Sequence, residues 1–307
     1  MNDSQPVLVV GATGFLGRQV VAALLERGRH VRALVRPGSD AAALQSQGVE
    51  VVRGDMLDPA SLRAAMTGAD AAVSSAVGYT RRRTRTTQDT DTTGNRNLAD
   101  AAKATGLRRF VFTGILASDS APEVPHFRDK TRAERYLTEI GAPYVSVRPG
   151  AYLDQVMALA PGHGPASGHI WSFGSPEVPM TWVLSGDVAG ALAAAVNANA
   201  DDGEHIDLGW DQPVTMRPVA TLSATQLGKP VKVRHIPWPL LNTAMRVVGR
   251  LDARAADSRA MFAFFQTGRF VADPTRQAQV LGPVPTAQDA VARWLRGQPT
   301  APPAATR

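Results

Sequence analysis

Residues Val7-Leu-Val-Val10 run straight into Gly11-Ala-Thr-Gly-Phe-Leu-Gly17, and Val20, Val21, Leu24 and Leu25 then recur at helical spacing. The four-residue apolar run suits a strand buried on both faces. The later positions suit one face of a helix that stops near Gly28. The turn between them needs small residues for three separate reasons. Gly11 permits the tight turn, Gly14 lets the backbone approach a ligand, and Gly17 lets helix and strand pack closely. The helix N-terminus then presents unpaired N–H groups that suit a pyrophosphate. Gly11, Ala12, Thr13, Gly14, Phe15, Leu16 and Gly17 are therefore the expected dinucleotide-binding turn.

The pattern repeats. Val31 to Val35, residues 49–53, Ala69 to Ala76, Phe110 to Thr113 and Tyr144 to Val147 read as further strands. Helical stretches over 39–47, 61–66, 95–104 and 128–140 alternate with them. Alternation of this kind predicts an α/β fold, a doubly wound parallel Rossmann sheet with helices on both faces. After about residue 150 the alternation fades. Helices are expected over 187–198, 237–254 and 257–265, and His205-Ile-Asp-Leu-Gly209 reads as a late strand. The expected organisation is a Rossmann core over 1–150, a smaller C-terminal substrate lobe over 151–296 interleaved with late sheet strands, and a disordered tail over 297–307 rich in Pro, Ala and Thr.

The second strand, Val31-Arg-Ala-Leu-Val-Arg36, separates two cofactors. A site for NAD carries an acid near its end for the ribose 2′-hydroxyl. Here there is none, and the Arg36 fork suits a 2′-phosphate, so NADP(H) is expected. Arg32 is a possible second contact.

The 307 residues contain no cysteine, which excludes disulfides, thiolate catalysis and cysteine-ligated metal. No His and carboxylate spacing suggests a metal. No apolar stretch reaches the ~18 residues of a membrane span, and no secretory pattern is visible, so a cytoplasmic protein is expected. The net charge of +6 fits a phosphate-rich cofactor or an acidic substrate as well as nucleic acid. A small-molecule substrate is expected, and no nucleic acid. Arg81, Arg82, Arg83 and Arg85 form a run that is either a substrate or partner contact or a solvated loop.

Four stretches carry a resemblance to a family. They are the glycine turn with its arginine strand; Arg53-Gly-Asp-Met-Leu-Asp58 with Ser61-Leu62 and Gly68-Ala-Asp70; Gly94-Asn-Arg-Asn-Leu98 leading into Arg109-Phe-Val-Phe-Thr113; and Val147-Arg-Pro-Gly150 with Gly186-Asp-Val-Ala189. The chain resembles the short-chain dehydrogenase/reductase superfamily, in its atypical NmrA-like and isoflavone-reductase-like branch. The resemblance places Asp55 and Met56 by the adenine. It places Ser75, Ala76 and Val77 along the cofactor and counts Thr113, Pro149 and Gly150 with them.

Standard members use a Ser, a Tyr and a Lys, with Tyr and Lys four apart on a helix. This chain keeps Lys130, the expected ligand of the nicotinamide ribose. His126 stands where the Tyr belongs and Gly114 where the Ser belongs. His126 is either a general acid or a packing residue at the helix start. Tyr152 is a reserve proton donor, or an aromatic packing in a loop. Phe262, Phe264, Phe265, Trp171, Trp182, Trp210 and Trp238 supply core for the second half, or in part an aromatic pocket.

The expected activity is NADP(H)-dependent reduction of a small organic carbonyl, enone or imine. The missing Ser and Tyr leave two alternatives open: an NADP-sensing or scaffold protein without catalysis, and a non-redox enzyme in the same pocket.

Overall fold

The structure is a computed structural model that describes residues 5–78, 89–158 and 164–297. The basic run 81–85 lies outside the described residues, as do Pro161, Gly162 and His163 and the tail beyond 297.

In chain order the elements are β1 (Val7–Val10), α1 (Phe15–Glu26), β2 (Val31–Val35), α2 (Ala42–Gln45), β3 (Glu50–Arg53), α3 (Pro59–Met66) and β4 (Ala71–Ser74). A π-helical turn (Asp89–Gly94) precedes α4 (Asn95–Ala104), β5 (Arg109–Thr113), α5 (Pro125–Glu139) and β6 (Tyr144–Pro149). Then come β7 (Ala151–Tyr152), α6 (Leu153–Ala158), β8 (His169–Phe173), β9 (Trp182–Val183), α7 (Ser185–Ala195) and β10 (Glu204–Leu208). The chain continues through α8 (Met216–Leu227), β11 (Lys232–Ile236), α9 (Trp238–Val248), α10 (Ala253–Phe265), α11 (Thr275–Val280) and α12 (Ala287–Arg296).

Two compact units emerge. The first comprises Met1–Pro149, Ser185–Leu208 and Thr275–Pro283, and the second Gly150–Leu184, Gly209–Pro274 and Val284–Arg307. Residues 185–208 thus return to the first unit with a helix and a strand.

The first unit is built on a seven-stranded sheet in the order β10-β6-β5-β4-β1-β2-β3. Every pairing is parallel. This is the doubly wound Rossmann order with a seventh strand added. The order reverses between β1 and β4, and in such sheets the ligand crevice opens at the carboxyl ends on either side of that point. Strand alternation divides the core. Leu8 and Val10 pack with Leu62, Leu98 and Leu137 of α3, α4 and α5, while Val7 and Val9 face the opposite layer. On α1, Val20, Val21 and Leu24 are fully buried, and α1 packs on α7. Burying each such side chain stabilises by roughly 1.5–3 kcal/mol.

The second unit pairs β8 with β11 and β7 with β9, both parallel. Trp210, Phe264 and Phe270 are fully buried in it, and Trp182 Nε1 donates to the Val214 carbonyl at 3.1 Å. The two helices expected over 237–254 and 257–265 are present as α9 and α10, with the boundary between them earlier than expected. α9 stops at Val248, and Asp252 caps α10 by accepting from the Arg254 N–H at 2.9 Å. Sequence periodicity carried through this break because Leu251 continues the apolar spacing, yet it is solvent-exposed. The helices α8 and α12 and the strands β8 and β11 have no counterpart in the sequence reading.

Candidate functional site

The glycine turn closes with the Gly14 N–H donating to the Gly11 carbonyl at 2.9 Å. Gly11 has φ of +88°, a left-handed conformation that penalises any β-carbon. A β-carbon on Gly17 would lie 2.0 Å from the Gly11 carbonyl oxygen, so helix and strand can meet this closely only through glycine. Gly14 is the N-cap of α1 and no side chain caps it. The first turn holds no acid. The N–H groups of that turn therefore remain for an external anion. Ala12 is buried under the turn, Thr13 and Leu16 are half-buried, and Phe15 is 60% exposed beside it.

At the end of β2, Arg36 is exposed, and among the described residues its guanidinium takes part in no hydrogen bond or ion pair. Arg53 of β3 steadies the segment that follows, donating to the carbonyls of Arg36 at 3.2 Å and Ser39 at 2.7 Å. Arg32 is otherwise employed: it donates to the Ala65 and Thr67 carbonyls at 2.9 and 2.8 Å and pairs with Glu50. Its place in the strand points it at the end of α3 rather than at a ligand.

Asp55 and Met56 follow β3. Asp55 Oδ1 accepts from the Leu57 N–H at 3.0 Å, and its backbone N–H donates to Ser61 Oγ at 3.0 Å. Asn97 of α4 donates to the Met56 carbonyl at 2.9 Å, and the buried Met56 side chain lies beside Gly94.

Ser75 leaves β4 with its hydroxyl donated to the Val10 carbonyl at 3.2 Å. Ala76 is buried and Val77 half-buried. Gly78 then donates its N–H to Asp91 Oδ1 at 2.8 Å. Asp91 sits in the π-helical turn and is 2% exposed. Such turns recur at functional sites. Nothing in the run Asp89-Thr-Asp-Thr-Thr has apolar period, so the sequence offered no signal that one of its acids is buried.

Beyond β5 the departures from the standard pattern gain a physical reason. A β-carbon on Gly114 would lie 2.5 Å from Ser146 Oγ, 2.6 Å from Glu134 Oε1 and 2.9 Å from Arg148 Cγ. The place of the missing Ser is filled by a buried ion pair. The Thr113 hydroxyl is also spent, donating to the Ser74 carbonyl at 2.7 Å. α5 begins at Pro125, so His126 and Lys130 stand one turn apart on one helix, both buried. The His126 ring meets Phe127 edge-on, with centroids 4.8 Å apart.

Lys130 is 3% exposed. Its Nζ lies 4.5 Å from the centroid of the Phe112 ring, and among the described residues it has no hydrogen-bond partner. Burial pushes its pKa below the ordinary lysine value, opposed by the charges of Asp91 and Glu134. Tyr152 lies on β7 and belongs, with Gly150, to the second unit; Pro149 closes the first. All other expected site residues belong to the first unit.

The sequence pattern of the NmrA-like family matches residues 3–275. The chain belongs to that family. Quinone oxidoreductase 2 of Escherichia coli is 28% identical to this NmrA-like chain over 254 residues, 81% of this chain and 84% of that one. A crystal structure of a new type of NADPH-dependent quinone oxidoreductase from Escherichia coli superposes with a TM-score of 0.72 at 25% identity, covering 94% of this chain and 99% of that one. The chloroplastic protein High Chlorophyll Fluorescence Phenotype 244 of Arabidopsis thaliana is 28% identical over 276 residues, 90% of this chain; the chain spans 65% of that protein's length. No described helix is long and apolar enough to cross a membrane.

The residues present fit a dinucleotide. The α1 N-terminus has uncapped N–H groups suited to a pyrophosphate, Arg36 has an exposed fork suited to a 2′-phosphate, and Lys130 Nζ is a buried polar atom lacking a hydrogen-bond partner among the described residues. A buried amine in that state is costly unless something accepts from it, and a hydroxyl of a bound ligand would be such an acceptor.

Proposed function

We propose that this NmrA-like chain is an NADP(H)-dependent oxidoreductase that reduces a small conjugated carbonyl compound, with quinones the foremost class. The observation that carries the reading is Lys130, whose buried Nζ has no hydrogen-bond partner among the described residues, in the same unit as the uncapped glycine turn and Arg36. The bound cofactor supplies a hydride. The chain's own residues bind and orient. The turn Gly11 to Gly17 holds the pyrophosphate, and Arg36 holds the 2′-phosphate. Asp55 and Met56 flank the adenine, and Ser75, Ala76, Val77, Thr113 and Pro149 line the remainder. Lys130 holds the nicotinamide ribose.

The preference for quinones comes from the proton. Hydride transfer to a simple ketone leaves an alkoxide, a base that needs an acid at hand. Transfer to a quinone leaves a phenolate, whose conjugate acid has a pKa of about 10 like that of tyrosine. At neutral pH the phenol is the favoured form, so its proton can come from solvent without a positioned acid. A site whose Ser position is closed by Glu134 and Ser146, and whose Tyr position holds His126, suits the second case. The relative named as a quinone oxidoreductase points the same way. Where the product is an alkoxide or enolate, His126 or Tyr152 is the proton source.

The closed Ser position also favours a second reading, an NADP-sensing or scaffold protein. One experiment separates the two. NADPH and NADH are titrated against the protein, and a panel of quinones, enones, imines and simple ketones is followed by loss of NADPH absorbance. Quinone-dependent oxidation supports the enzyme. Tight NADPH binding with no turnover on any member supports the sensor, and absence of NADPH binding removes both.

A further inference from the structure

α9 carries no buried residue. Among the described residues six large apolar side chains are exposed, and four of them lie on this helix and the turn after it: Leu240 is 64% exposed, Val247 58%, Val248 53% and Leu251 95%. Leu240, Ala244, Val247 and Leu251 follow one another at spacings of four, three and four, so they form one stripe. The stripe runs past the helix end because the chain keeps turning. The Gly249 N–H donates to the Met245 carbonyl at 2.8 Å, and the Leu251 N–H donates to the Val248 carbonyl at 2.9 Å.

Packing within the second unit uses the other side of α9. Asn242 Oδ1 accepts from Arg259 Nη1 of α10 at 3.2 Å, and a β-carbon on Gly249 would lie 3.0 Å from the Ala256 nitrogen. Leu241 and Met245 are half-buried and lie near that side on a helical wheel. The stripe from Leu240 to Leu251 is therefore turned away from α10. A contiguous apolar surface left in water marks a place of contact.

Charge says what the contact is made with. No Asp or Glu occurs between Asp211 and Asp252, a stretch that holds six Lys or Arg. Arg217 pairs with Glu177, and Lys229 donates to the Ala166 carbonyl at 2.6 Å. Lys232, Arg234, Arg246 and Arg250 are exposed, and among the described residues none of them takes part in an ion pair. Arg246 and Arg250 stand beside the stripe, and Lys232 and Arg234 lie on β11, which leads into α9 through Pro237. The first acid beyond the stripe, Asp252, is taken by Arg254 Nη2 at 2.6 Å. A second copy docked on this face would set these cations against their own kind with no acid to pair them. A partner helix would need a groove, and Leu251 at 95% exposure has no wall beside it. An anionic bilayer meets both features: its headgroups pair with the cations, and the stripe sinks into the boundary between headgroups and acyl chains.

We infer that α9 and the turn to Leu251 dock this chain on an anionic membrane surface. The helix lies in the interface and does not span it. The docking face is separate from the nucleotide site and does not depend on the role of Lys130.

The test uses the full chain with vesicles of phosphatidylcholine, either alone or with about 30% phosphatidylserine, and measures binding by co-sedimentation. The chain contains no cysteine, so Leu251→Cys carries a single polarity-sensitive fluorophore. The expected result is binding at least about tenfold tighter to the anionic vesicles, largely lost at about 0.5 M salt, with a blue shift of the fluorophore. Arg246→Gln with Arg250→Gln weakens binding about tenfold or more. Arg63→Gln with Arg296→Gln removes the same charge from exposed arginines elsewhere and changes binding less than about twofold. Leu240→Ser with Val247→Ser and Leu251→Ser keeps every charge and still costs about tenfold or more. Leu251→Ser alone, at the most exposed position, should cost about threefold and serves if the triple variant does not fold. Failure to bind the anionic vesicles overturns the inference, as does binding without a fluorophore shift. Equal losses for the two arginine pairs would mean that net charge alone attracts the protein, and that also overturns it. A fluorophore shift without vesicles, together with a dimer in sedimentation velocity, gives the face to a second copy and overturns it as well.

Discussion

Arg148 grips Glu134 through two hydrogen bonds, Nε to Oε1 at 3.0 Å and Nη2 to Oε2 at 2.5 Å, directly against the α-carbon of Gly114. The pair takes the volume in which a Ser side chain at position 114 would lie. Gly114→Ser is therefore expected to destabilise by about 1–3 kcal/mol, the usual cost of overpacking a filled interior. It is not expected to raise turnover. Thermal unfolding and quinone-dependent NADPH oxidation check both halves, and a stable, more active Gly114→Ser protein would refute this account of the missing Ser.

Arg36 is exposed and engages no other side chain among the described residues, so its removal should change cofactor choice without affecting the fold. A charge-assisted phosphate contact is worth roughly 1.5–3 kcal/mol, and exposure places this one near the lower end. Arg36→Ala should weaken NADPH binding about tenfold and leave NADH within about twofold. Titration calorimetry with both nucleotides measures this. Equal affinities in the unmutated protein would contradict the NADP(H) assignment.

At the opposite end of the sheet, Arg108 donates to both oxygens of Asp70 at 2.8 and 2.7 Å, and Arg29 donates to Oδ2 at 2.8 Å. The Arg108 bonds, with those of Arg29, outweigh desolvation and hold the Asp70 pKa at about 2, below the ordinary 3.8. As pH falls, the unfolded chain takes up this proton first. The contribution is complete above about pH 4 and disappears as pH approaches 2; it amounts to about 2 kcal/mol. Asp70→Asn should be less stable than the unmutated protein at neutral pH, with the difference shrinking by about that amount near pH 2. Urea unfolding at the two pH values tests it, and a gap that stays constant would show that Asp70 is not the group responsible.

The proton argument predicts a split between substrates. With a quinone, His126→Ala and Tyr152→Phe should each retain turnover within about threefold. With a ketone or simple enone, whichever residue gives the proton should lose about 100-fold or more in kcat, the usual share of general acid catalysis. Steady-state rates on both substrate classes decide the matter. Equal losses on both would mean that the residue shapes the pocket and does not transfer a proton.

The parallel sheet, the glycine turn and the Arg36 strand were legible because each is written in neighbouring residues. Apolar runs mark β1, β2 and β4, helical spacing marks α1 and α4, and the α4 bounds agree with the expected 95–104. The second half was less legible. Its strands β7 and β9 have two residues each and carry no period, and α9 and α10 share an apolar spacing across the turn that separates them. Arg32 was readable only as a basic strand residue, and which partner it serves depends on where α3 ends.

What the sequence determined by itself is the set of positions where local sterics or spacing leave one answer: a β-α unit with Gly11, Gly14 and Gly17 at its turn, and an arginine where an acid would select NAD. What only the tertiary structure decided is the state of the groups around Lys130. Gly114 is closed by Glu134 and Arg148, the Thr113 hydroxyl is taken by Ser74, and Asp91 is buried at the exit of β4. These residues come from different elements of the sheet and its helices. Charge compensation in a dry interior depends on distance in space, and no spacing along the chain encodes it.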